Sequence, residues 1–373
     1  VPAFRPPAVS KPLPLLRIAA AATAGLVTVA ALWMALRPAP EAPASEEFHD
    51  LTRGPAPSAL TESKPDIGMI EDPVSWLTQE ILREFPGSQF KFTTQTRPYF
   101  IAFETSDQFV GKGWVDDYAK ELETAFTAFR REVAERTGLP PVKETLLPVL
   151  ILGSRASFDR YCEKRDGRRQ TPGVKGFYEY PRRRIVTYQD AAVPRDPLLH
   201  EGAHQLFHYY LSRETEGRKV STSFWMQEGI AGYFEGFRRR PDGEIALGRA
   251  DDSRRLPLLK HVLRSPERPE FVPLSRLVGM TVDGFWDWVE RDRIDDPAEL
   301  LRRMQIHYAE SWALVHFLRE SGPRHRKVFN DAFRREIAGA GSKGQFEDLV
   351  RHELGLDLFQ LEDQFVAYIR ELK

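Results

Sequence analysis

The run LLHEGAHQLFHYYL, Leu198 to Leu211, decides how the rest of the chain is read. Asp196-Pro197 just ahead of it suits a helix start, because Asp caps free amides and Pro tolerates the first helical position. On a helix, His200 and His204 lie one turn apart along the axis and about 40° apart around it, so two imidazoles can converge on one ion. Glu201 falls on the neighbouring strip, where it can reach a water held by such an ion without ligating the ion itself. His208 extends the same face by another turn, and packing or a supporting role suits it better than ligation. The H-E-x-x-H pattern is short; two helical histidines that are exposed, or hydrogen-bonded in a core, are the plain alternative.

A stable site needs a third protein ligand. Ser221-Thr222-Ser223 offers a cap, and the next helix reads FWMQEGIAGYFEGF. Glu228 lies 24 positions after His204, among Gly229, Ala231 and Gly232. Such small residues let two helix backbones approach closely, as a carboxylate needs if it is to reach zinc at about 2.0–2.2 Å. Glycine inside a helix costs up to about 1 kcal/mol relative to alanine, so two within four residues imply a packing or functional reason. The expected ligand set is therefore His200, His204 and Glu228, with Glu201 beside it and Zn(2+) as the ion. The single cysteine, Cys162, excludes a thiolate zinc site and an internal disulfide, and it reads as a packing residue.

His200-Glu201-Gly202-Ala203-His204, followed by Trp225-x-x-Glu228-Gly229-x-Ala231-x-Tyr233, resembles the gluzincin metallopeptidases, the peptidase MA-like group. Pro273-Leu274-x-x-Leu277 and the run from Tyr308 to Val315 are similar to poorly characterised, membrane-associated or exported members. The resemblance covers roughly residues 97 to 320. It implies a gluzincin-like catalytic domain in which Glu228 is the third zinc ligand and Glu201 the general base for hydrolysis of a peptide or protein substrate. Tyr308 is the candidate donor to the developing oxyanion, with a core tyrosine as the other use of that residue; Tyr233 is a weaker candidate. The chain departs from the thermolysin-like pattern, where an Asp four residues after the ligand Glu orients a zinc histidine. Here that position is Gly232, and Glu235, one turn further on, is the expected replacement.

Outward from this centre, the 373 residues hold 53 Lys+Arg against 54 Asp+Glu, a net charge of −1. No global field favours nucleic acid, and none is expected as a partner. The basic runs Arg182–Arg184 and Arg238–Arg240 read as solvated hairpin tips or helix ends. Ile18 to Leu36 is nineteen residues without a charge, roughly 28 Å as a helix, and is preceded by Arg5, Lys11 and Arg17. The expectation is a transmembrane anchor over 18–36 after a cytoplasmic segment 1–17, with the remaining chain periplasmic or extracellular. A cleaved signal peptide and a buried helix are the alternatives. Residues 37–90 read as a linker rich in Pro, Ala, Ser and Glu, with a short amphipathic helix from Val74 to Phe85.

Pro98–Glu104 reads as a strand. Tyr118, Leu122, Phe126, Phe129 and Val133 mark one face of a long helix that Gly138-Leu139-Pro140-Pro141 ends. Leu146–Leu152 is a buried strand that Pro148 pushes toward an edge, and a helix passes through Phe158 and Tyr161. Gly176–Tyr180 and Arg184–Tyr188 form a hairpin turning at Pro181, its first arm a candidate edge for pairing with an extended peptide. Beyond Asp190 nearly everything reads as helix. The fold class is α+β: a small N-terminal α/β lobe over 91–192 and a mainly helical lobe over 193–373. The rival functional reading is a non-catalytic zinc-binding envelope protein acting as an interaction module, and a third is a tethered helical scaffold without metal. Oligomeric state is not legible.

Overall fold

Alternation along the short β-rich runs places two different surfaces on the two faces of one sheet. In the computed structural model the strands are β1 (Phe90–Thr93), β2 (Tyr99–Glu104), β3 (Leu147–Leu152), β4 (Gly176–Glu179) and β5 (Arg184–Tyr188). They lie in the order β1-β2-β3-β5-β4, with β2, β3 and β5 parallel and the two outer pairs antiparallel. The structure describes residues 71–373 apart from 95–97, 106–111, 142–144, 167–173, 190–195, 237, 240–244, 249, 251–254, 265–269 and 292–296. All of these belong to one unit, Glu47–Lys373.

Tyr99, Ile101 and Phe103 of β2, with Leu147, Val149 and Ile151 of β3, point into the larger core. Helices α2 (Lys112–Phe129, continued by a π-helical turn Arg130–Glu135) and α4 (Asp196–Glu214) cover that face. Phe100 and Ala102, with Leu150 and Leu152, point the other way, against α1 (Pro73–Glu84) and α3 (Arg155–Asp166). A period of two thus sorts each strand between two helical layers. Cys162 is fully buried in the second layer, as a packing residue.

The remaining chain is mostly helical: α5 (Phe224–Glu235), α6 (Arg255–Val262), α7 (Leu274–Leu277), α8 (Val282–Arg291), α9 (Pro297–Glu320), α10 (Pro323–Ile337), α11 (Lys343–Leu354) and α12 (Leu358–Glu371). A two-residue ribbon, β6 (Arg238–Arg239) with β7 (Ile245–Ala246), follows α5. Phe129 stacks on Tyr210 and meets Phe234 and Phe333, so α2, α4, α5 and α10 share one aromatic centre. The architecture is mixed α/β of the α+β kind.

Three expectations are corrected. β3 is central, not an edge strand. Pro148 is tolerated there because the ladder to β5 starts one residue later, at Val149. The run Arg182–Arg184 is not a solvated tip: Arg184 is 3% exposed and pairs with buried Glu179 and with Glu84. The membrane placement is also overturned. Among the described residues no helix is long and apolar enough to cross a membrane, and the segment 18–36 on which it rested lies outside them.

Candidate metal centre

Helix α4 is wrapped on nearly every side, with each residue from Leu198 to Phe207 buried between the sheet, α2 and α5. Polar groups in such a helix need compensation, because burying them alone costs several kcal/mol. Gln205 finds it in the carbonyls of Pro148 and Arg183. The two imidazoles, one turn apart, turn toward each other, with His200 Nε2 and His204 Nε2 3.1 Å apart.

Helix α5 brings the third group. It is buried from Phe224 to Phe234, so its start must be capped from within the protein. Glu336 of α10 does this by accepting from both the backbone N–H and the hydroxyl of Ser223. Burial pushes the Glu336 carboxyl up, against the hydrogen bonds from Ser223. Close packing on α9 then sets how deep α5 sits. A Cβ at Gly229 would overlap the Ser311 carbonyl oxygen and stand 2.5 Å from Val315 Cγ2, so only glycine allows this crossing.

Seated this way, Glu228 places Oε2 3.4 Å from His200 Nε2 and 3.5 Å from His204 Nε2. The three atoms form a nearly equilateral triangle. Ligands at about 2.0–2.1 Å from a tetrahedral ion stand about 3.3–3.4 Å apart, so the spacing fits zinc. Two imidazoles and a carboxylate are also a donor set that suits it. Among the described residues this is the group of three that could hold a metal ion.

Two supports flank the triangle. Glu201, fully buried, accepts the Tyr178 N–H from β4 at 2.7 Å. The Tyr178 hydroxyl bonds His208 Nδ1 at 2.8 Å, so one residue of the outer strand grips α4 at two levels. His208 is therefore a supporting residue, and burial, reinforced by Arg183, lowers its pKa to about 3. On the other side Glu235 Oε1 lies 2.7 Å from His200 Nδ1, so this acid of α5 reaches the outer nitrogen of that imidazole. Burial pushes the Glu235 carboxyl up, but Arg255 and His200 beside it override this and hold it well below the usual carboxylate range.

Tyr308 projects from α9 with its ring against Phe224, the first residue of α5, and against Phe285 of α8. The Tyr233 hydroxyl is committed to Glu320, at 2.6 Å. Sequence reasoning missed Tyr178, Arg255 and Glu336. Glu336 was findable: in PRHRKVFNDAFRREI the buried stripe Val328, Phe329, Ala332, Phe333, Ile337 runs straight through it. Arg255 carries no such signal, because it sits at the end of a charged run from Arg249.

Neither a protein-family model nor a curated protein sequence matches the chain. Among solved structures it is similar to the M1 zinc metallopeptidase from Deinococcus radiodurans, at 14% identity and a TM-score of 0.33. The alignment covers 76% of this chain and 52% of that one, so the match spans about half the length of that protein. At that level of superposition the likeness adds no weight to the site, which stands on its own geometry.

Proposed function

We propose that the protein is a zinc-dependent hydrolase of peptide bonds, a gluzincin-like metallopeptidase. The observation that carries this reading is the triangle of His200 Nε2, His204 Nε2 and Glu228 Oε2, with sides of 3.1, 3.4 and 3.5 Å. Those three residues would hold the ion. When bound, zinc supplies Lewis acidity, polarising a substrate carbonyl and making a coordinated water far easier to deprotonate.

The chain's own residues do the rest. Glu201 shares a helix with both histidines and is the general base, taking the water's proton and passing it to the leaving amine. The Tyr178 N–H holds one carboxylate oxygen, Oε2, and so fixes the orientation of the carboxylate. Tyr308 is the donor to the oxyanion; its place beside Phe224, one turn before Glu228 on α5, supports this. Strand β4, at the end of the sheet, offers an edge to an extended peptide, with the Tyr178 N–H already spent on Glu201.

One observation favours a second reading, a non-catalytic zinc-binding protein acting as an interaction module. His200, Glu201 and His204 are each no more than 1% exposed and Glu228 is 5% exposed, as in closed structural sites. Glu201→Gln separates the two. For the hydrolase, zinc content stays at the wild-type level while cleavage of a fluorogenic peptide library falls by about 10²–10⁴. Cleavage at wild-type rate in the variant removes Glu201 as the base. A zinc-loaded wild type that cleaves nothing leaves the binding-protein reading.

A further inference from the structure

Position 232 is where a short acid would be expected to orient a histidine, and the residue there is glycine. The structure shows what takes up the space. A Cβ at Gly232 would stand 3.4 Å from Cζ and Nη1 of Arg255 and 3.2 Å from Trp312 Cβ. The guanidinium lies against bare backbone. Arg255 opens α6 and is only 7% exposed. Its fork meets both oxygens of Glu235, Nη1 on Oε2 and Nη2 on Oε1 at 3.1 Å. Glu235 Oε1 is the atom that lies 2.7 Å from His200 Nδ1.

We propose that Arg255 is a positioning residue for the metal centre: by clamping Glu235 in two places it fixes the His200 ring with Nε2 toward His204 and Glu228. A glutamate reaching from one turn further along α5 has one more rotatable bond than the aspartate it replaces. A monodentate partner would leave that bond free; a planar fork removes the freedom. Histidine then presents a single ring orientation, and the ordering of the ligand is done before an ion arrives. The inference rests on the zinc reading given above. It adds that affinity is set partly from α6, a helix that contributes no ligand.

The test is a double-mutant cycle on the full chain, read as the zinc dissociation constant by chelator competition, with the melting temperature of the metal-free protein measured alongside. Glu235→Gln is expected to raise Kd about 10–100-fold and Arg255→Gln about tenfold. Because Arg255 acts through Glu235, the double variant is expected to bind zinc no more weakly than Glu235→Gln alone. An Arg255→Gln protein that melts lower without metal yet keeps the wild-type Kd makes the ion pair a mere tie between α5 and α6 and overturns the proposal. So do effects that multiply in the double variant. If Arg255→Gln does not fold, Arg255→Lys decides, since it keeps the buried charge and loses the fork: a Kd raised severalfold supports the clamp and an unchanged Kd overturns it. A wild type that takes up no zinc removes the hydrolase reading and this inference together, whereas tight wild-type binding with an indifferent Arg255 removes this inference alone.

Discussion

His208 shows how a residue outside the ligand triangle can set the conditions under which the centre survives. Its half-buried imidazole packs against Tyr178 and Tyr180, and desolvation there lowers its pKa to about 3. A histidine held neutral in the fold, with an ordinary pKa near 6.5 when unfolded, binds fewer protons folded than unfolded between those two values. Stability is therefore fully present above about pH 6.5, falls as pH drops toward 3, and changes no further below that; the slope is about 1.4 kcal/mol per pH unit. Chemical denaturation at pH 7 and pH 4.5 should show His208→Phe losing distinctly less stability over that interval than wild type; equal losses would mean that this ring is not what titrates. Tyr308 makes a kinetic prediction at the same scale. With its ring packed on Phe224 and Phe285, Tyr308→Phe removes only a hydroxyl. Cleavage of a fluorogenic peptide should fall about 10²–10³-fold in kcat, with KM nearly unchanged. An unchanged kcat would make Tyr308 a packing tyrosine, the other use open to it from sequence.

Among the elements, α5 carries most of the consequence, because its depth against α9 decides where the Glu228 carboxylate arrives. Gly229→Val drives a branched side chain into the Ser311 carbonyl and Val315. Overpacking of this kind costs about 1–3 kcal/mol, and relief requires α5 to move away from α9. The variant should melt lower and also lose zinc affinity. A variant that is destabilised but binds zinc normally would show that the crossing does not set the position of Glu228. Much at this scale was legible beforehand. The helix over Val74–Phe85, the face from Tyr118 to Val133 and the hairpin around Pro181 all emerge from local periodicity and turn chemistry, which need no knowledge of partners. The central place of β3 was not legible, since a proline's tolerance depends on where the neighbouring ladder begins. Nor was the burial of Arg184, which depends on Glu84 a hundred positions earlier in the chain.

Across the whole molecule, the centre is built from two helices and is held in place by four other parts of the chain: β4 through Tyr178, α9 through its close packing on Gly229, α10 through Glu336, and α6 through Arg255. The two histidines and Glu201 could be read from spacing within a single helix. Glu228 was within reach because small residues around a buried acid imply close approach. Glu336 stood out only as an acid on a legible apolar stripe; Tyr178 and Arg255 could not be found that way, since each reaches the centre across a tertiary contact that no local pattern encodes. Tyr178 is one residue in a strand, and what matters is the direction of its N–H. The N-terminal stretch 18–36 shows the converse: a clear local signal in a segment that lies outside the described residues. The central claim is that His200, His204 and Glu228 share one ion. Metal analysis of the purified wild type beside His204→Ala and Glu228→Ala tests it most directly. One zinc per chain in the wild type, with loss from both variants while they stay folded, is the predicted result. Equal zinc in all three proteins, or none in any, would contradict it.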